Sequence, residues 1–256
     1  MKKDIKIPAT ISIATIVAIF RILLNFTNQS ESFTEIYMNV IYQSCSVDSG
    51  LISMFIALIL PIAFLITSSG HIADDINTAI AYILPRSKKL NKYFTKKILF
   101  ILKASFEITL VNNLIILIFC GLKNNFSATD ITTVLISLIV QITFTFMISL
   151  FVNVTSIVIG DKWSCFVGLC TMIVFAGIIN IFKENLIISR LNPIYHYFVQ
   201  WHDGSALMNT KYEIIQYVID PLPIEFSIFF MILIILIEII VGILLLKNKD
   251  ILIRRR

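Results

Sequence analysis

Six stretches of this chain are apolar for long enough to cross a lipid bilayer as helices: 7–24, 51–67, 98–121, 131–159, 163–182 and 224–246. A hydrocarbon core about 30 Å thick takes about 20 mostly apolar residues in a helix, and no soluble fold needs that pattern six times over. The runs are continuously apolar, as in Leu114–Phe119 and Ile228–Ile237, with none of the alternation of a β-barrel strand. Composition agrees. The 256 residues are 57% hydrophobic and only 14% charged, against about 45–50% and about 25% in ordinary soluble domains. The expected fold is all-α: a polytopic integral membrane protein of six transmembrane helices, forming a single transmembrane domain over 1–256. The first span reads as a retained helix, because no small-residue cleavage site follows it.

Positive charge sets the orientation. Lys2, Lys3 and Lys6 precede the first span. Arg86, Lys88, Lys89, Lys92, Lys96 and Lys97 lie between spans two and three, Lys162 between four and five, and Lys247, Lys249, Arg254, Arg255 and Arg256 after the last. The opposite side has only Lys123, Lys183, Arg190 and Lys211. Both termini are therefore expected in the cytoplasm. A net charge of +5, gathered in loops flanking a membrane, gives no nucleic-acid surface. Abundant Ile and Asn suit an AT-rich bacterial genome, so the expected location is a bacterial cytoplasmic membrane.

Two loops exceed simple connections. The cytoplasmic loop 70–97 carries Ile72, Ile76, Ala79, Ile80, Ile83 and Leu84, one stripe of an amphipathic helix, with Asp74 and Asp75 at its start and Pro85 at its end. Such a ridge either lies on the inner leaflet or docks on a cytoplasmic partner; docking is the reading adopted. The external segment 183–223 gathers Tyr195, Tyr197, Phe198 and Trp201, a composition suited to the membrane interface. His196, His202 and Asp203 could form a metal site in principle, but the i, i+6 spacing takes the two imidazoles off one helical face, so no metal is expected.

No enzyme signature survives. None of the eight glycines is followed by Lys, so the chain has no phosphate-binding loop of the GxxxxGK[ST] kind. HExxH is missing, and His71, His196 and His202 all fall in loops rather than in a span, where an intramembrane serine protease would need its histidine. Cys45, Cys120, Cys165 and Cys170 contain no CxxC; Cys45 and Cys120 share the outer side, and small buried thiols are expected rather than a disulfide.

Ionisable residues inside spans are costly and hence informative. Lys103 and Glu107 stand at i, i+4 on the third span, and Glu238 lies about 12 Å from the cytoplasmic end of the sixth, at a similar depth. Lys103 is expected either to neutralise Glu107 or Glu238 or to reach back to the inner interface. Arg21, near the outer end of the first span, is expected to snorkel. Asn112, Asn113, Gln141, Asn153 and Asn180 add amides that more often bridge helices than bind substrate. Lys103, Glu107, Asn112, Asn113 and Glu238 are the intramembrane pathway candidates.

Over nearly the whole chain this layout resembles the permeases of type-2 ATP-binding-cassette transporters. The resemblance is carried by Asp74-Asp75-Ile76-Asn77-Thr78, by Ile83-Leu84-Pro85-Arg86, by Lys96-Lys97 before the third span, and by Leu191-Asn192-Pro193 after the fifth. The chain departs from the family where Asn77 replaces the usual Gly, where Pro85 and Arg86 adjoin, and where only six residues precede the first span. The resemblance implies a coupling helix contacting a separate ATPase through Ile72, Asp74, Asp75, Ile76, Ile80, Ile83, Leu84 and Arg86, and an external re-entrant segment before the sixth span. It implies a second permease subunit, identical or not, no cofactor on this chain, and ATP and Mg on the partner. The implied cargo is an amphipathic or antimicrobial peptide or a hydrophobic compound. The alternative is a non-transporting membrane immunity, sensor or scaffold protein.

Overall fold

A computed structural model of the chain describes residues 7–25, 33–43, 51–72, 90–123, 128–182, 185–202 and 223–254. Pro8 falls in the first turn of α1 (Ile7–Leu24), where a missing N–H costs nothing. Ala14 and Ala18, one turn apart, are fully buried, while Ile16 and Leu23 on the far side are each 66% exposed. Small residues at i, i+4 let two helix backbones approach closely, and α1 packs most extensively on α5 (Leu90–Lys123).

The remaining elements are α2 (Phe33–Tyr42), α3 (Leu51–Ala57), α4 (Ile59–Ser68), α6 (Ala128–Ile159), α7 (Asp161–Ile181), α8 (Leu186–Leu191), two 3-10 turns (Tyr195–Tyr197 and Val199–Trp201) and α9 (Ile224–Arg254). Among the described residues no strand forms. Four helices are long and apolar enough to cross a membrane, and the bent pair α3–α4 makes up to five; the apolar part of α1, Ala9–Leu24, is shorter. The chain is thus all-helical, with several helices of membrane-spanning length.

Three expected boundaries change. The second span is not one rod: α3 and α4 meet at a 59° bend. Pro61 explains it, since a proline has no N–H for the carbonyl four residues back, and its ring crowds that carbonyl. The third helix starts at Leu90 rather than 98, so residues 90–97, expected in the cytoplasmic loop, continue α5; no Gly or Pro interrupts Leu90–Lys97. The last helix likewise runs past 246 to Arg254. Residues 73–89 lie outside the described residues.

The helix α6 forms the centre, packing on α2, α4, α5, α7 and α9. Ser137, Gln141, Thr145, Ser149 and Asn153, each four residues on from the last, are all fully buried. They form an inclined i+4 ridge, and it is polar. The outward faces are apolar instead, as at Trp163, Phe166 and Phe229. In lipid this inversion is the stable arrangement, because polar side chains find hydrogen-bond partners only inside the bundle.

Candidate functional site

The polar ridge of α6 joins the two ends of the bundle. Toward the start of α6, the Tyr42 hydroxyl lies 2.9 Å from Ser137 Oγ, and Gln141 Nε2 donates to the same Ser137 oxygen at 2.9 Å. Asn113 Nδ2 donates to Gln141 Oε1 at 3.1 Å, and the Tyr37 hydroxyl donates to Asn113 Oδ1 at 2.6 Å. Thus α2, which falls between the first two expected spans, is tied into the bundle by two tyrosines, and seven of its ten residues are buried.

The other end of the ridge holds the exit of α4. Ser149 Oγ meets Ser68 Oγ at 2.6 Å. Asn153 Nδ2 donates to the Ser68 carbonyl at 2.9 Å, and Asn153 Oδ1 accepts the Ile72 N–H at 3.3 Å. One amide therefore satisfies both a helix-terminal carbonyl and a backbone donor two residues beyond the turn glycine. Gly70 makes that turn with φ +77°, and a Cβ there would lie 2.3 Å from Asp161 Cβ, so only glycine fits. Opposite, Gly160 (φ +83°) makes the one-residue turn from α6 to α7. His71 stacks on Phe100 at 4.9 Å, and Lys97 Nζ lies 3.3 Å from its Nε2.

Of the expected coupling residues, Ile72 is fully buried within the chain, so it is not presented to a partner in this arrangement. Asp74, Asp75, Ile76, Ile80, Ile83, Leu84 and Arg86 lie outside the described residues. Among the pathway candidates, Lys103 pairs with Glu107 at 3.7 Å along its own helix, and no cross-helix pair with Glu238 forms. Glu238 is buried, and its Oε2 has no hydrogen-bond partner. Asn113 bridges helices, whereas both amide atoms of Asn112 are buried without partners.

Arg21 corrects the snorkelling expectation. It is fully buried, and its Nη2 donates to the Ala57 carbonyl at 2.5 Å. That carbonyl is the one Pro61 leaves without a helical donor. The Tyr197 hydroxyl donates to the same oxygen at 3.2 Å. The signal was present in the sequence: Arg21 falls at i+7 and i+3 from Ala14 and Ala18, on the small-residue face that packs inward.

The segment 185–202 folds against the bundle. Asn192 anchors it, donating from Nδ2 to the Phe175 carbonyl at 2.8 Å and accepting the Ile194 N–H at 3.0 Å, an Asx turn across Pro193. His196 and His202 do come together, through a serine of the last helix. Ser227 Oγ on α9 lies 2.7 Å from His196 Nδ1 and 2.5 Å from His202 Nε2. The far nitrogens face backbone carbonyls, His196 Nε2 that of Arg190 at 2.8 Å and His202 Nδ1 that of Phe198 at 2.9 Å. Carbonyls only accept, so both far nitrogens carry protons, and one hydroxyl proton faces two imidazole lone pairs. Burial pushes both imidazoles down to about 4, so they are neutral at physiological pH. Asp203 lies outside the described residues, and among those described no group of three metal-ligating side chains occurs.

No family model, no curated protein and no solved structure matches the chain. Over its described residues, the class its fold and site define is an all-α protein with several helices long and apolar enough to span a membrane, apolar outside and polar along its central helix.

Proposed function

We propose that this chain is the membrane-spanning subunit of an ATP-driven exporter for amphipathic peptides or hydrophobic compounds. It sits in a bacterial cytoplasmic membrane with both termini inside and six spans, the short α1 and the bent α3–α4 each counting as one. A separate ATPase, carrying ATP and Mg, docks on the amphipathic ridge around 76–84, and a second permease subunit completes the route.

One observation supports this reading most directly: the Asn153 clamp. The chain leaving α4 is tied by its backbone to the central helix just before residue 73, through Ile72 N–H and the Ser68 carbonyl. A push on the segment that follows is therefore delivered to α6, which packs on α2, α4, α5, α7 and α9. The apolar exterior and sparse internal charge favour a greasy cargo over a sugar polymer or a metal ion.

The test is purification of the tagged chain from native membranes with identification of what accompanies it, followed by ATP hydrolysis in the reconstituted complex. Charge reversal at Asp74 and Asp75, or Ile80→Asp, is expected to abolish coupled hydrolysis while leaving membrane insertion intact. Unchanged ATPase association in those variants overturns the docking role. The buried hydrogen bonds at the two ends of the α6 ridge favour one other reading, a rigid non-transporting immunity, sensor or scaffold protein, for which the accompanying protein would have no ATPase activity.

A further inference from the structure

The guanidinium of Arg21 is charged, buried and incompletely used. Nη2 meets the Ala57 carbonyl, but Nε and Nη1 are buried without any partner. Capping that carbonyl does not call for a cation: the neutral Tyr197 hydroxyl donates to the same oxygen, and a carbonyl has only two lone pairs. A guanidinium does not shed its proton, and a buried charge without a counter-charge is among the most costly features a membrane helix can carry. The phenols around it do not balance the charge. Burial holds the hydroxyls of Tyr37 and Tyr197 above their ordinary range, so both stay neutral. No carboxylate among the described residues pairs with Arg21. The helix on which α1 packs most extensively also carries a second unmet buried donor, Asn112 Nδ2.

We propose that Arg21 anchors a binding site for an oxyanion, the carboxylate or phosphate head of an amphipathic molecule, at the end of the bundle where α1 finishes. The missing counter-charge is supplied by the ligand, whose head accepts from Nε and Nη1 while its apolar tail lies along the greasy helix faces. Charge-assisted hydrogen bonds of this kind are the strong ones, and in a dry bundle they act without competition from water. This site needs no ATPase, so it stands or falls apart from the exporter reading.

The test uses the full chain in lipid nanodiscs, with thermal unfolding followed by Tyr and Trp fluorescence. In discs of phosphatidylcholine alone, inorganic phosphate is titrated against chloride at equal ionic strength; a second set of discs contains phosphatidylglycerol. The expected result is a rise in Tm of about 5 °C with one of the two sources. Response to inorganic phosphate assigns a soluble oxyanion, and response only to phosphatidylglycerol assigns a lipid head. Arg21→Gln, which keeps a donor for Ala57, is expected to lose the rise. An equal rise in R21Q, or a flat response of the unaltered chain to both sources, overturns the proposal. The second of these outcomes needs no variant to fold.

Discussion

Arg21 on the first helix donates to the carbonyl of Ala57, 36 residues away, because Pro61 has removed the donor that carbonyl would have had in an unbroken helix. A proline that bends one helix thereby fixes a charged residue of another. The relationship is testable as a cycle. Restoring the N–H with Pro61→Ala gives Ala57 a helical partner, so Arg21→Met should cost about 1 kcal/mol less in the P61A background than in the parent. Denaturation midpoints of the four proteins in one detergent measure the difference. Additive effects would mean that the proline and the arginine do not share the carbonyl.

Asn153 makes the second prediction. Asn153→Leu keeps the volume but leaves the Ser68 carbonyl and the Ile72 N–H without their shared partner. A buried group left unmet costs about 1–3 kcal/mol. Local opening should dominate that loss, so hydrogen exchange at the Ile72 amide is expected to speed up by about tenfold or more, with α1 and α5 unaffected. Mass-spectrometric exchange on peptides covering 64–72 reads it directly.

Acid should weaken the protein through His196 and His202. Both are held at about 4 by burial, below the ordinary value of 6.5. Between those values the unfolded chain binds more protons than the folded one, so stability is complete above about 6.5 and falls as the pH drops toward about 4. Each imidazole contributes up to about 3 kcal/mol to that fall. Ser227→Ala should leave the slope in place, because burial and not the hydroxyl is its main cause. Tm measured from pH 8 to 4 checks the sign, and stability that rises on acidification would show instead that a shared proton holds the pair together.

Glu238 lies on the inward stripe of α9 with Ser227, Met231 and Ile235, at 3–4-residue spacing. Its Oε2 is buried without a partner, and burying an unpaired carboxyl is unfavourable. Glu238→Leu is therefore expected to raise stability by about 1–2 kcal/mol in detergent. If Tm falls in both E238L and the isosteric E238Q, the carboxyl has a partner and this account of it is wrong.

Much of the architecture was legible because lipid imposes it. Runs such as Ile228–Ile237 have no stable place but a buried or membrane helix, and the bounds expected for the first, fourth and fifth spans fall within three residues of the helix ends. The long α5 was underestimated because Lys92, Lys96 and Lys97 broke the apolar run without breaking the helix. Polarity marks where lipid ends, not where hydrogen bonding ends. The helix α2 was missed since ten residues with Glu35 and Asn39 are too short and too polar to read as a span.

The site was less legible. Pairing of Lys103 with Glu107 follows from i, i+4 geometry within one helix and needed no fold. The contacts of Arg21 with Ala57, Asn153 with Ser68, and Ser227 with His196 and His202 join residues 25 to 85 positions apart. Periodicity says which face of a helix turns inward, but not which neighbour meets it.

Length, apolar runs and the i+4 ladder Ser137, Gln141, Thr145, Ser149, Asn153 are properties of the chain alone. They are enough to make it helical, with helices of membrane-spanning length, and polar at its centre, because each is set by solvent and by helical pitch. Which carbonyl receives Arg21, which hydroxyl sits between two imidazoles, and which amide holds the exit of α4 were decided only when the helices packed. Hydrogen bonds inside a bundle are each worth about 0.6 kcal/mol, too little to drive association and enough to choose among nearly equal packings.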